Sequence, residues 1–120
     1  MITKKTKLGN QGENLVTQFL KKQKFKIIEL NYRTKFGEID IIAQKKDVLA
    51  FIEVKTRKNE YFPTSMVVNH SKQKKIINAA KHFILKNNIK DVVYRFDIAT
   101  VIMQYDNPEI KYLSDAFRIR

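Results

Sequence analysis

The chain has 120 residues, of which 24 are Lys or Arg and 12 are Asp or Glu, so its formal net charge is +12. That length suits about one domain over residues 1–120 and excludes larger architectures such as a TIM barrel, while a hydrophobic fraction of 43% with only 3 Gly and 2 Pro argues against disorder. The absence of cysteine excludes disulfides and thiolate metal sites, and no apolar run approaches the roughly 18 residues of a membrane span.

The first predicted element is a helix over Lys7 to Lys24, where apolar residues recur at helical spacing. Three strands follow over Phe25 to Tyr32, Phe36 to Gln44 and Val48 to Thr56, which are rich in β-favouring residues. The last two of these strands are predicted to form a hairpin over Lys45-Lys46-Asp47.

The second half of the chain begins with a predicted loop over Arg57 to Ser71. A second helix then runs to about Asn88, with either Asn69 or Ser71 as its cap. The remaining elements are a strand over Val92 to Gln104, a turn at Asn107-Pro108 and a last strand or short helix over Ile110 to Phe117. This order predicts an α/β fold, in which a mixed sheet is flanked by helices and any crossover between parallel strands is right-handed.

Three carboxylates interrupt the apolar second and third strands. Glu38 and Asp40 lie on one face of the second strand, and Glu53 shares a face of the third strand with Lys55. Burying a carboxylate among Ile, Val and Phe costs several kcal/mol unless it is paired or binds a metal. These acids therefore indicate a site rather than ordinary packing.

The hairpin is expected to bring the acids of the two strands together. If Gln44–Asp47 form the turn, Ala43 lies opposite Val48. Asp40 and Glu53 are then diagonal neighbours on one face, with Cα atoms about 7–8 Å apart. If the pairing of the two strands slipped by one residue, Glu53 would lie on the other face of the sheet. The site therefore requires a register in which the numbers of two opposite residues add up to an odd number.

The residue types at this position favour a hard divalent cation. Oxygen ligands from Asp40, Glu53 and the carbonyl of Val54, with Glu38 beside them, suit Mg²⁺ or Mn²⁺. Such an ion neutralises charge on a phosphodiester and lowers the pKa of a bound water, while Lys55 can position that water or stabilise negative charge. Without the ion, neighbouring carboxylates should raise each other's pKa, and the lysine should offset this only in part.

Two acids outside the hairpin have competing interpretations. Glu13 on the first helix is either a further metal or water ligand at the sheet end or an exposed first-turn Glu favoured by the helix dipole. Asp97 is expected to form a salt bridge with Arg95 or another cation rather than to bind metal. His70 and His82 lack partners at ligand spacing and are interpreted as structural or exposed.

Basic residues flank the predicted site and could contact phosphates on either side of it. They are Arg33, Lys35, Arg57, Lys58, Lys72, Lys74 and Lys75. The alternative is an ordinary solvated surface. The lysines at the start of the second helix oppose the helix dipole, a local cost that a role in binding the nucleic-acid backbone would explain.

Taken together, these residues resemble the PD-(D/E)xK nuclease superfamily of restriction-endonuclease-like fold, in which an Asp on one strand and a Glu-x-Lys on the next bind the metal. A closer resemblance, to the YraN family of endonuclease-like proteins, runs in order over about residues 9–102. Its motifs are Gly9-x-x-Gly12-Glu13, Asn31-Tyr32-Arg33, Gly37-Glu38-Ile39-Asp40-Ile41-Ile42-Ala43, Phe51-Ile52-Glu53-Val54-Lys55-Thr56-Arg57, Lys72 and Arg95-Phe96-Asp97. The resemblance implies that Asp40, Glu53 and Lys55 form the catalytic set, with Glu13 as the helix acid and Glu38 as a neighbour.

The YraN family is similar in turn to archaeal Holliday junction resolvases. We therefore expect a metal-dependent endonuclease that hydrolyses phosphodiester bonds of DNA, whether branched or single-stranded, and a resolvase-like role would require a two-fold dimer. The alternatives are a non-catalytic nucleic-acid-binding module that keeps the nuclease fold and a basic scaffold for a protein partner. The basic start of the chain lacks the apolar segment of a secretory signal, so we expect a cytoplasmic protein without a membrane partner.

Overall fold

The computed structural model describes residues 7–58, 68–104 and 107–119. Its elements, in chain order, are α1 (Lys7–Lys22), β1 (Lys26–Arg33), β2 (Glu38–Lys45), β3 (Val48–Arg57), α2 (His70–Lys86), β4 (Val93–Ile102) and β5 (Glu109–Phe117). The predicted helices and strands are thus confirmed, and the last element is a strand rather than a short helix. Most of the predicted loop, residues 59–67, lies outside the described residues.

The five strands form one mixed sheet in the order β1-β2-β3-β4-β5. Strands β3 and β4 are parallel and are connected through α2, whereas the other neighbouring pairs are antiparallel. A five-stranded mixed sheet flanked by two helices is the predicted α/β architecture and is consistent with a restriction-endonuclease-like fold. Within the described part of the chain, no helix is long and apolar enough to cross a bilayer.

The two helices cover opposite faces of the sheet. Along β3, Leu49 and Phe51 join the buried cluster that contains the apolar residues of α2, whereas Ala50 and Ile52 join the cluster that contains those of α1. Alternating residues of a strand point to opposite faces. A sheet that is buried on both faces explains why β3 has an almost continuous apolar sequence.

Helix α2 begins at a side-chain cap. The Oδ1 atom of Asn69 accepts a hydrogen bond from the backbone N–H of Lys72 at 2.9 Å. Of the two caps considered, Asn69 is therefore the one used, and Ser71 lies inside the helix. The helix ends at Lys86, and Asn88 takes the left-handed conformation with φ 52° just beyond it.

The β2–β3 hairpin differs in register from the prediction. Lys45 pairs with Val48 across the two-residue turn Lys46-Asp47, so the predicted pairing of Ala43 with Val48 is wrong. The tight turn is possible because Lys46 adopts a φ of 55°, which closes two-residue hairpins. The register shifts by two residues, so the sum of opposed residue numbers stays odd. Continued by one residue, the observed register places Asp40 opposite Glu53 and not diagonal to it, so the predicted diagonal arrangement is wrong.

Candidate active site

Two buried carboxylates meet between β2 and β3. Asp40 is 7% exposed and Glu53 is 4% exposed. The Oδ2 atom of Asp40 accepts a hydrogen bond from the backbone N–H of Val54 at 2.8 Å, which fixes the carboxylate against β3. A hydrogen bond also links the Asp40 and Glu53 side chains. The sequence prediction that these two acids converge is therefore matched by the geometry of the hairpin.

An irregularity in β2 helps to position Asp40. Ile39 packs in the α2-side cluster and Ile41 in the α1-side cluster, although residues two apart in a regular strand share a face. On the neighbouring strand, Asn31 lies between the partners of these two isoleucines and has a φ of 53°. Asn tolerates this left-handed conformation better than most residues. Asp40 thus lies at the point where the side chains of β2 switch from one face of the sheet to the other. It is the residue next to Ile41, which forms the last pair between β2 and β3.

Two lysines bind the Glu53 carboxylate. The Nζ atom of Lys55 lies 3.3 Å from Glu53 Oε2, and the Nζ atom of Lys72 lies 3.4 Å from the same oxygen. Lys72 comes from the first turn of α2, where a cation opposes the helix dipole, and the contact with an acid compensates for that cost. The sequence predicted Lys72 only as a phosphate contact, because nothing local indicates that the start of α2 lies over Glu53.

The pKa of Glu53 is raised from 4.5 to about 7, chiefly by burial and in addition by the charge of Asp40 and its hydrogen bond. The charges of Lys55 and Lys72 act in the opposite direction but only partly offset this rise. The expectation that neighbouring carboxylates raise a pKa and that the lysine offsets this in part is thus confirmed for Glu53.

The raised pKa of Glu53 predicts that pH governs the stability of the metal-free protein. A pKa that is higher in the folded than in the unfolded chain contributes stability that is complete below about pH 4.5 and is lost as the pH rises through about 7. We expect Glu53→Gln to raise the free energy of unfolding at pH 8 by about 2–3 kcal/mol and to change it little at pH 4.5. Urea unfolding in EDTA at the two pH values measures this difference.

The matched control for this prediction is Glu38→Gln, because Glu38 is partly exposed and its ion pair with Arg33 is on the surface. We expect this variant to stay within about 0.5 kcal/mol of the wild type at both pH values. If Glu53→Gln were instead destabilising at pH 8, the ionised carboxylate would be a net stabilising partner of its two lysines, and the prediction would be wrong.

The other predicted acids lie in different surroundings. Glu38 forms an ion pair with Arg33, with Oε1 3.3 Å from Nε. Glu13 is 8% exposed, so its interpretation as an exposed first-turn residue is wrong. It follows Gly12, whose missing side chain allows α1 to contact Thr56 of β3 directly. The contact between Gly12 and Thr56 is three residues from Glu53 along β3. A role of Glu13 as a metal or water ligand stays a prediction.

The donor set fits a hard cation with few protein ligands. Within residues 7–58, 68–104 and 107–119, no group of three or more His, Cys, Asp or Glu side chains is arranged to hold a metal. Asp40 and Glu53 are two adjacent carboxylates, and the charge of Asp40 contributes to the raised pKa of Glu53. Mg²⁺ is commonly bound through one or two carboxylates and keeps several waters, so these residues suit it.

The predicted phosphate contacts are distributed over the surface around this end of the sheet. Arg33 is partly engaged by Glu38, and Arg57 donates from Nη1 to the carbonyl of Thr56 at 3.3 Å. The side chains of Lys35, Lys58, Lys74 and Lys75 are exposed. Apart from Lys72, therefore, the structure does not bring the predicted cations into contact with the two buried carboxylates.

Asp97 belongs to a separate buried network. Its Oδ2 atom lies 3.0 Å from Nη2 of Arg95 and accepts a hydrogen bond from the Tyr112 hydroxyl at 2.5 Å, and its Oδ1 accepts from the backbone N–H of Asp115 at 2.9 Å. The hydrogen bond to Asp97 raises the pKa of Arg95, and burial raises that of Tyr112. The predicted salt bridge between Asp97 and Arg95 is confirmed.

Thr100 is a buried polar residue next to Lys55 that sequence reasoning missed. It pairs with Lys55 in the parallel β3–β4 register, so both side chains project from the same face of the sheet. Its hydroxyl is buried and makes no hydrogen bond to any described residue. A threonine in a strand is an ordinary β-favouring residue, so the sequence carries no signal for this position.

Comparison with known proteins places the chain among relatives of similar length. The model of the uncharacterised protein family UPF0102 matches residues 12–101. A UPF0102 protein of Alkaliphilus metalliredigens is 42% identical over 111 residues, which cover 92% of this chain and 96% of the relative. UPF0102 proteins of Chloroherpeton thalassium and Caldicellulosiruptor saccharolyticus are 40% and 37% identical, with coverage of at least 92% of either chain.

Proposed function

The chain belongs to the uncharacterised protein family UPF0102, and from that premise we propose that it is a metal-dependent endonuclease of the YraN type that hydrolyses phosphodiester bonds of DNA. One observation supports the proposal above all others. Of the three residues that the PD-(D/E)xK resemblance implies, Glu53 contacts both of the others, Asp40 and Lys55, at one end of the sheet.

The carboxylates of Asp40 and Glu53 would hold Mg²⁺ or Mn²⁺, with the carbonyl of Val54 as a further oxygen ligand. When bound, such an ion neutralises the charge of a phosphodiester and lowers the pKa of a water molecule. The backbone N–H of Val54 orients the Asp40 carboxylate by a hydrogen bond of 2.8 Å. Burial of both acids excludes bulk water and strengthens their electrostatic interactions with charged groups.

The lysines around Glu53 supply positive charge where a scissile phosphate would lie. The ammonium group of Lys55 can position the attacking water or stabilise the negative charge that develops on the phosphate. Lys72, on the other side of Glu53, projects from α2 and can contact a phosphate oxygen. The net charge of +12 adds a sequence-independent attraction to the nucleic-acid backbone.

A second candidate function is a non-catalytic nucleic-acid-binding module with a nuclease fold. The observation that favours it is the double ion pair of Glu53, because Lys55 and Lys72 neutralise this carboxylate without any metal. Such a module would bind nucleic acid with strong salt dependence. Its affinity would be indifferent to Mg²⁺ and to Asp40→Asn.

A cleavage panel separates the two functions. Purified protein is incubated with linear, nicked, flapped and four-way DNA and with single-stranded DNA and RNA, each in Mg²⁺, Mn²⁺ or EDTA. We expect cleavage of at least one DNA substrate in Mg²⁺ or Mn²⁺ and none in EDTA. If no nucleic acid is cut while salt-dependent binding persists, the endonuclease proposal is wrong and the binding module is supported.

A further inference from the structure

The turn between β1 and β2 presents an exposed aromatic ring. Phe36 is 44% exposed and lies near the end of the turn 34–37. The backbone N–H of Thr34 donates to the carbonyl of Gly37 at 2.9 Å, and the Thr34 hydroxyl accepts from the N–H of Phe36 at 2.9 Å and of Gly37 at 3.2 Å. These bonds hold the turn in one conformation, so the ring has a defined place on the surface.

The turn is also fixed against α2. A Cβ atom on Gly37 would lie 2.7 Å from the backbone oxygen of Lys75, so only glycine allows this close approach. The Phe36 ring is 6.3 Å from the ring of His82, whose Nδ1 lies 2.7 Å from the hydroxyl of buried Tyr32. The exposed ring therefore lies beside His82, which is held in place by its hydrogen bond to Tyr32.

The surroundings of Phe36 are suited to a polyanion. The ammonium group of Lys35 lies 5.3 Å from the centroid of the ring, and the nearby acid Glu38 is paired with Arg33. Phe36 precedes Asp40 by four residues, which limits the distance between their Cα atoms to at most about 14 Å. That distance corresponds to about four stacked bases at about 3.4 Å each.

We propose that Phe36 is a stacking subsite for an unpaired base of a nucleic acid bound at the Asp40–Glu53 site. Its location relative to a cut rests on the proposed endonuclease function. Aromatic side chains stack on any base, but a base within a regular duplex is already stacked on both faces. The subsite therefore favours single-stranded DNA or the unpaired part of a branched DNA over linear duplex.

Because the chain contains no Trp, Phe36→Trp introduces one indole as a reporter at this position. The variant is titrated in EDTA, which prevents metal-dependent cleavage, with oligo(dT) and with a blunt duplex of equal length. We expect oligo(dT) to quench the indole emission and the duplex to leave it nearly unchanged. The matched control is Tyr94→Trp, since Tyr94 is also an exposed aromatic residue. It lies at the start of β4, next to the start of β3 and far from the end of β3 that carries Glu53.

Affinity provides a second measurement on the otherwise native chain. Phe36→Ala should weaken binding of oligo(dT) by a factor of about 5 to 100, and Phe36→Tyr should restore it. Tyr94→Ala should change the affinity by less than about twofold, and no variant should alter duplex binding by more than that. Thermal unfolding checks that each variant is folded.

Three outcomes would overturn this inference. The first is equal quenching of the indole by duplex and by oligo(dT), and the second is an unchanged affinity of Phe36→Ala for oligo(dT). The third is a change in the oligomeric state of Phe36→Ala without any loss of DNA affinity, which would indicate a contact between copies of the chain. Failure of the endonuclease proposal is a separate result. Quenching at Phe36 with no cleavage of any substrate would leave the stacking subsite in place and remove only the catalytic role.

Discussion

Replacing Asp40 by Asn should lower Mg²⁺-dependent cleavage of DNA by about 10³-fold, because the site loses one of two carboxylates that would hold the ion. A bound metal contributes several kcal/mol of stabilisation to a phosphoryl transition state, and about 1.4 kcal/mol corresponds to tenfold in rate. The fold should be retained, since the Asn side-chain oxygen can still accept the hydrogen bond from Val54. Affinity for DNA should change by less than about threefold, because contacts to phosphates dominate it.

Single-turnover cleavage rates, fluorescence anisotropy and thermal unfolding measure these three quantities separately.

Lys55→Ala should reduce the cleavage rate in the same assay by removing the ammonium group next to Glu53. Lys58→Ala is the matched control, since Lys58 is exposed and lies just after the same strand. It should weaken binding and reduce its salt dependence without a comparable loss of rate. A cleavage rate of Asp40→Asn within about tenfold of the wild type would contradict the assignment.

Replacing Asp97 by Ala should destabilise the protein by about 3–5 kcal/mol, the range for removing one partner of a buried ion pair. Asp97 is completely buried, and the substitution leaves the Arg95 guanidinium, the Tyr112 hydroxyl and the N–H of Asp115 without their acceptor. This is a large share of the about 5–15 kcal/mol that stabilises a typical domain. Urea unfolding followed by circular dichroism measures the loss.

Asp115→Asn is the control for this variant. Asp115 forms an exposed ion pair with Arg118, and its φ of 54° is tolerated by Asn. Its effect on the free energy of unfolding should be small beside that of Asp97→Ala. If Asp97→Ala cost no more than this control, the buried network would not contribute to stability and the prediction would fail.

The amino-acid sequence by itself determined the helices, the strands and the identity of the paired acids. Apolar periodicity depends on neighbours a few residues apart, so it located α1, α2 and the first four strands without knowledge of their packing, and it left the last element as a strand or a short helix. The salt bridge of Asp97 with Arg95 was predictable for the same reason, since residues two apart in a strand share a face. The convergence of Asp40 and Glu53 was predictable from a hairpin with an odd register sum, although the change of face in β2 at Asp40 was not.

The tertiary structure decided what depends on residues that are distant in sequence. The turn at Lys46-Asp47 depends on an unusual φ of a lysine, which composition does not indicate. The contact of Lys72 with Glu53 and the burial of Thr100 arise because α2 and β4 return to the sheet from other parts of the chain. Phe36 looked like a strand residue by its alternation, and only the close approach of its turn to α2 places the ring on the surface beside the site.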